Sequence, residues 1–236
     1  MKTRKPFRFK QFEVAQSPGC MPVTTDACIF GAIADIGNAK SVLDIGTGTG
    51  LLSLMLAQRF ADAVFTAIDI DAESIKQATE NFKNSPWKQH LQTETADIRT
   101  WEPGVQYDAI VCNPPFFDNQ LLSESDDKRR ARHTVTLDFE TLLYKIQYLL
   151  KQDGICMLLI PILHVVYLQE LSKKNALYLH RKIQIRSFTE SAPHVVILYL
   201  SKTQAAGFTS DFIIYEKPGV YSAEMKALMQ DFYLAG

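Results

Sequence analysis

The chain has 236 residues, 47% hydrophobic and 22% charged, which is ordinary globular composition and enough for one full core. A net charge of −1 excludes a globally basic nucleic-acid binder, so any RNA or DNA surface has to be a local patch. Cys20, Cys28, Cys112 and Cys156 form no Cys-x-x-Cys and have no histidine at zinc spacing, which supports neither a metal site nor a disulfide framework.

Met1 to Lys10 is basic but lacks the apolar stretch of a secretory signal, and the longest apolar run, Ile155 to Leu168, is interrupted by Pro161 and His164. A soluble cytoplasmic protein without membrane, metal or obligate protein partner is expected. Residues 1 to 16 interleave Lys2, Arg4, Lys5, Arg8 and Lys10 with Phe7, Phe9 and Phe12. That pattern suits either contact with phosphates and unpaired bases or an edge strand with its aromatics packed inward. A turn at Gln16 to Gly19 precedes Pro22 to Asp26, which leads into an apolar helix over residues 27–34, capped by Thr25 or Asp26.

Ser41 to Gly50 reads as a strand running into a glycine-rich turn, and Leu51 to Phe60 continues with helical spacing. A dinucleotide site wants Gly-x-Gly-x-x-Gly. Here Leu51 occupies the third glycine's place and Gly50 comes one residue early. The spacing points to a nucleoside cofactor without a pyrophosphate, with Asp44 available to the ammonium of a methionine moiety. The next strand ends at Asp69, about 20 residues beyond the glycines, where an acid commonly holds ribose hydroxyls. Asp71 is better placed to cap the helix over residues 72–84. A short strand then ends at Ala96-Asp97-Ile98, where Asp97 would accept from an adenine amino group. Helical connections are expected after each of these strands.

Tyr107 to Cys112 is a fourth apolar strand, and it ends in Asn113-Pro114-Pro115-Phe116. The prolines hold an extended backbone and offer carbonyls with no N–H of their own. The Asn113 side-chain oxygen and the Pro114 carbonyl can accept both protons of a planar amino group, while Phe116 stacks on the base that carries it. An exocyclic amine is a poor nucleophile because its lone pair is delocalised. Two acceptors favour a pyramidal nitrogen and stabilise its developing positive charge. Gly46 to Gly50, Asp69, Asp97 and Asn113 thus fall at successive strand ends, which line one crevice in an open parallel sheet.

Beyond the strand, residues 117–133 are polar, with Lys128, Arg129, Arg130, Arg132 and His133 nearly consecutive. They suit phosphate contact beside a flipped base, or a solvated loop balanced by Glu124, Asp126 and Asp127. Asp138 caps a helix ended by Gly154, and a buried strand over Ile155 to Ile160 precedes a helix over Leu163 to Lys174. Tyr178 to Thr189 and His194 to Lys202 read as an antiparallel hairpin that Phe208 to Tyr215 extends, and Ser222 to Leu234 as a closing amphipathic helix.

Together these residues resemble the class I S-adenosylmethionine-dependent methyltransferases whose Asn-Pro-Pro-aromatic motif methylates amino groups. The likeness is closest to the bacterial valine-tRNA adenine-N6 methyltransferases acting at position 37. It is carried by Val23 to Asp26, Asp44 to Ala57, Asn113 to Phe116, Ala131 to Asp138, Tyr221 to Glu224 and Phe232 to Leu234. Pro22 and Thr24 stand where that family has Lys and Gly, and Phe116 stands for its Tyr.

The resemblance implies one doubly wound, mostly parallel α/β domain over residues 1–236, with an antiparallel C-terminal hairpin and residues 1–39 as an N-terminal arm capping the cofactor. It implies that Thr25, Asp44, Gly46, Gly48, Gly50, Asp69, Asp97 and Ile98 hold S-adenosyl-L-methionine. Asn113, Pro114, Pro115 and Phe116 would act on the amine, with tRNA as the partner substrate. Guanine-N2 RNA methylation and a non-catalytic RNA-binding protein of the same fold are the alternatives.

Overall fold

The computed structural model describes residues 5–17, 20–114 and 138–234. Two short strands, β1 (Phe7–Arg8) and β2 (Glu13–Val14), pair antiparallel ahead of helix α1 (Thr25–Ile33). Strands β3 (Ser41–Ile45), β4 (Val64–Asp69), β5 (Leu91–Thr95) and β6 (Tyr107–Cys112) then alternate with helices α2 (Leu51–Arg59) and α3 (Ala72–Lys83). Helix α4 (Phe139–Leu149), strand β7 (Leu150–Pro161) and helix α5 (Val165–Lys174) follow. The chain closes through β8 (Tyr178–Arg186), β9 (Val195–Ser201), β10 (Phe208–Ile213), β11 (Tyr215–Lys217), β12 (Val220–Tyr221) and α6 (Ala223–Met229).

Eight strands form the central sheet in the order β10-β8-β9-β7-β6-β3-β4-β5, and within it β9 alone runs against the others. The near-continuous apolar runs of β3 and β6 suit strands covered on both faces. Phe30 of α1, Met55 of α2, Phe82 of α3 and Met225 of α6 pack on one face together with Phe9 and Phe12. Leu142 and Ile146 of α4 and Leu168 of α5 pack on the other. From β3 the chain proceeds outward to β4 and β5, then crosses back to place β6 on the opposite flank of β3. That reversal opens a crevice beyond the carboxyl ends of β3 and β6.

The doubly wound fold, the β8–β9 hairpin and the caps at Asp71 and Asp138 agree with the sequence. Asp71 Oδ2 accepts from the Ser74 N–H at 3.1 Å and Asp138 Oδ1 from the Thr141 N–H at 2.7 Å. Phe9 and Phe12 stack at 4.4 Å in the interior, so the inward-packed reading of the arm holds for them.

Other expectations are corrected. The α1 cap is Thr24, not Thr25 or Asp26, because Thr24 is the last extended residue and its Oγ1 accepts from the Ala27 N–H at 3.2 Å. No helix joins β5 to β6. Asp97 instead closes a tight turn, its carbonyl accepting from the Thr100 and Trp101 N–H groups at 3.0 and 2.9 Å. Helix α4 stops at Leu149 and passes straight into a long β7. Gly154 lies inside that strand, where a side chain would meet the Asp108 carbonyl of β6 at 2.9 Å. The closing helix is short and ends at Met229, after which Tyr233 bridges back to Phe9.

Candidate active site

Register aligns the strand ends. Ile45 of β3 lies opposite Ile68 of β4 and Cys112 of β6, and Asp69 lies opposite Thr95 of β5. Gly46, Asp69 and Asn113 therefore sit in one row along the crevice, with Asp97 just past β5. At the usual spacing of about 4.8 Å between strands, the row is about 15 Å long.

The glycine turn is held by its neighbours. The Gly46 and Thr47 N–H groups donate to the Ile68 carbonyl at 2.9 and 3.0 Å. Asp69 ties the turn to the next helix, with Oδ2 accepting from the Gly48 N–H and Oδ1 from the Asp71 N–H, both at 2.9 Å. Gly46 and Gly48 take φ of 70° and 56°, and a Cβ on either would meet nothing within 4 Å among the described residues. The turn thus presents bare backbone to open space. Gly50, at φ 83°, serves packing instead, since a Cβ there would lie 2.9 Å from Phe82 Cζ.

Asp44 is fully buried. Its Oδ2 accepts from Thr47 Oγ1 at 2.7 Å and Ser53 Oγ at 2.8 Å, while Oδ1 has no hydrogen-bond partner among the described residues. Burial raises its pKa to about 6, against the lowering effect of those two hydroxyls. An unpartnered carboxylate oxygen in the interior is costly, and a cationic N–H donor would relieve that cost.

Asp97 is more heavily engaged than its position in the chain suggests. Arg99 grips it through Nε at 2.8 and 3.0 Å, through Nη2, and through the backbone N–H at 3.0 Å. Those side-chain bonds, ahead of the counteracting effect of burial, hold its carboxyl below the usual range. The Ile98 side chain is buried in the core on the α4 face. Thr25 opens α1 half-buried, next to Asp26, whose Oδ1 meets His194 Nε2 at 3.0 Å.

Asn113 is half-buried beyond β6 and Pro114 is buried. Cys112 points into the core, and burial first, then Cys156 and Asp44, keeps its thiol well above the ordinary value. It is not poised as a nucleophile. Pro115, Phe116, Lys128, Arg129, Arg130, Arg132 and His133 lie outside the described residues.

Asn81 is a residue that sequence reasoning missed. Buried on α3, it donates through Nδ2 to the Thr49 carbonyl at 2.8 Å and the Ala15 carbonyl at 3.2 Å, while its Oδ1 accepts from the Ala15 N–H at 3.0 Å. The N-terminal arm is thereby tied to the glycine turn. The signal was a polar residue set between Ala78 and Phe82 on an apolar helix face.

Residues 30–129 match the model of the methyltransferase small domain. The chain is 36% identical over 230 residues to the tRNA1(Val) (adenine(37)-N6)-methyltransferase of Vibrio vulnificus, covering 98% of this chain and 96% of the relative. It is 39% identical over 232 residues to the protein of the same name from Dyadobacter fermentans, covering 97% of each. The chain belongs to the tRNA1(Val) (adenine(37)-N6)-methyltransferase family. Solved structures agree on the fold. A predicted O-methyltransferase from Agrobacterium tumefaciens superposes with a TM-score of 0.66 at 14% identity, over 88% of this chain and 96% of that one. The ribosomal protein L11 methylase of Lactobacillus delbrueckii gives 0.55 at 20% identity, over 80% of this chain and 84% of that one. In this chain the carboxyl edge of that sheet carries the glycine turn, Asp69, Asp97 and Asn113 in one row.

Proposed function

We propose that the protein transfers a methyl group from S-adenosyl-L-methionine to the exocyclic N6 of the adenine at position 37 of valine tRNA. The observation that carries this reading is the alignment of Asn113 with the glycine turn across the β3–β6 crevice, in a chain that matches the named relatives over nearly its whole length. The residues present fit the cofactor. Among the described residues, the open backbone at Gly46 and Gly48 leaves room for it, and buried Asp44 Oδ1 has no donor such as an amino-acid ammonium would provide. Asp69, at the end of β4 beside the Gly48 N–H, is the carboxylate for the ribose hydroxyls. Asp97 and Ile98 stand at the next strand end for the adenine, and the N-terminal segment that would cap the cofactor, with Thr25 opening α1, is fastened to the glycine turn through Asn81. When bound, S-adenosyl-L-methionine supplies an electrophilic methyl group.

The chain's own contribution is to make a poor nucleophile reactive. The Asn113 side-chain oxygen and the Pro114 carbonyl accept the two amino hydrogens, which turns the nitrogen lone pair out of conjugation. As positive charge grows on nitrogen these acceptors bind more strongly, and the surplus proton leaves to solvent afterwards. Phe116 holds the base plane by stacking, and Lys128, Arg129, Arg130, Arg132 and His133 supply the charge that meets RNA phosphates. A tRNA substrate places the reaction in the cytoplasm.

The test is methyl transfer to valine-tRNA transcript, followed by nucleoside mass spectrometry. N6-methyladenosine should form, and it should vanish when the target adenine is replaced. Methylated guanosine as the product would overturn the reading.

A further inference from the structure

The C-terminal stretches Tyr221 to Glu224 and Phe232 to Leu234 have no part in the chemistry above. The fold nevertheless gathers their aromatics at the carboxyl edge of the sheet. Strand β11 begins where β8 and β10 end, with the Tyr215 N–H donating to the Ser187 carbonyl at 2.9 Å. Ser222 anchors the return of β12 through its N–H to the Ile214 carbonyl at 2.9 Å and its Oγ to the Ile213 carbonyl at 2.6 Å. Tyr215 and Tyr221 stack at 5.3 Å with their planes 13° apart, and Tyr233 follows at 6.5 Å from Tyr221, then Phe7 at 6.1 Å from Tyr233. All four rings are half-exposed.

Tyr221, Tyr233 and Phe7 wall a cavity of about 350 Å³, with Arg8 at its rim and the start of α1 as its floor. This lies at the low end of small-molecule pockets, a size for one nucleobase with its sugar and not for a folded peptide. The start of α1, which lines the cavity, is tied to the carboxyl edge of the sheet. His194, bonded to Asp26 in the first turn of α1, immediately precedes β9, whose Val195 lies opposite Pro161 at the end of β7. The head of β9 therefore stands two strand spacings, about 10 Å, from the end of β6 that carries Asn113, and the β11–β12 return lies further along the same edge, beyond β8 and β10.

We propose that Tyr221, Tyr233 and Phe7 form a stacking pocket for a second unpaired nucleotide of the RNA loop that delivers the target adenine to Asn113. The proposal rests on the functional reading above. Aromatic faces bind unpaired bases without needing a particular sequence, because every base has a π-face. Holding a flanking base here fixes the register of the loop while its neighbour is turned into the site. The partly exposed rings suit a base, and the Arg8 guanidinium, exposed and paired through Nε with Glu13 at 2.9 Å, keeps N–H donors for its phosphate.

The test uses the full chain and the anticodon stem-loop of valine tRNA, with 2-aminopurine placed at each loop position except the target in turn. Stacking quenches 2-aminopurine, so one position should darken on binding the wild-type protein. In Tyr221→Leu, which keeps apolar volume but removes the ring face, that quenching should be lost. RNA affinity should fall about five- to hundredfold, the range for one lost stack. S-adenosyl-L-methionine affinity should be unchanged, and Tyr221→Phe should restore quenching and affinity together. Equal quenching in wild type and Tyr221→Leu at every position, or a loss of cofactor affinity instead of RNA affinity, would overturn the proposal. The binding arm needs no turnover. Tyr221-dependent quenching without methylation would keep the pocket and sink the functional reading, and methylation without such quenching would do the reverse.

Discussion

At the scale of single residues, the proposed function assigns Asn113 to the target amine and Asp44 to the cofactor. Asn113 stands past β6, where it can meet the target amine, and makes no part of the glycine turn. Asn113→Ala should lower turnover by about two to three orders of magnitude, the cost of removing one positioned charge-stabilising group. Calorimetry should find cofactor affinity within a few-fold of wild type, and near-normal turnover would remove Asn113 from the mechanism. Asp44 makes a prediction in pH. Its folded pKa of about 6 lies above the ordinary 3.8, so its neutral form stabilises the fold fully below about pH 4. That contribution is lost as pH rises through 6. Cofactor binding should run the other way, because an ammonium pairs with the ionised carboxylate. The ionised fraction rises from about a tenth at pH 5 to about nine tenths at pH 7, so apparent affinity should rise about tenfold over that range. Asp44→Asn should abolish this slope in calorimetric titrations.

At the scale of elements, the β3–α2 turn and the arm are separately testable. Gly46→Ala costs about 1–2 kcal/mol for its left-handed backbone and should chiefly weaken cofactor binding, since its Cβ projects into open space. Gly50→Ala carries the same backbone cost and also drives a Cβ into the Phe82 ring, so about 3 kcal/mol or more should be lost from stability. Chemical denaturation separates the two, and equal destabilisation would contradict the assignment. Asn81→Ala leaves the Thr49 carbonyl and both Ala15 backbone groups without their partner, a loss of about 2–4 kcal/mol. The arm should then become a preferred site for limited proteolysis within residues 10–17 while the core still resists.

For the whole molecule, a net charge of −1 means that RNA affinity has to come from local groups. The run at Lys128, Arg129, Arg130, Arg132 and His133 is the densest cluster of positive charge in the sequence. Replacing Arg129 and Arg130 with alanine should reduce the slope of log affinity against log salt by about 1.4, at about 0.7 per phosphate contact to single-stranded RNA. Tyr221→Leu should leave that slope intact, because stacking releases no counterions. A filter-binding salt series on both variants distinguishes charge from stacking.

Much of this protein was legible without coordinates, where local interactions decide. Asp71 and Asp138 cap helices through hydrogen bonds within three residues, and the apolar runs that end at Ile45, Asp69 and Cys112 are strands because their pattern leaves no polar face. The order of glycine turn, acid, acid and Asn-Pro-Pro along the chain was enough to predict a shared crevice, since parallel strands present the same end to the same side. Tertiary structure decided what depends on distant partners. It showed that Asn81 joins Ala15 to Thr49 and that His194 reaches Asp26. It also brought Phe7, Tyr221 and Tyr233 around one cavity, with Tyr215 stacked behind Tyr221. Periodicity and capping report only on neighbours a few residues away, whereas these contacts join segments up to the full length of the chain apart and exist only once the sheet has fixed its strand order.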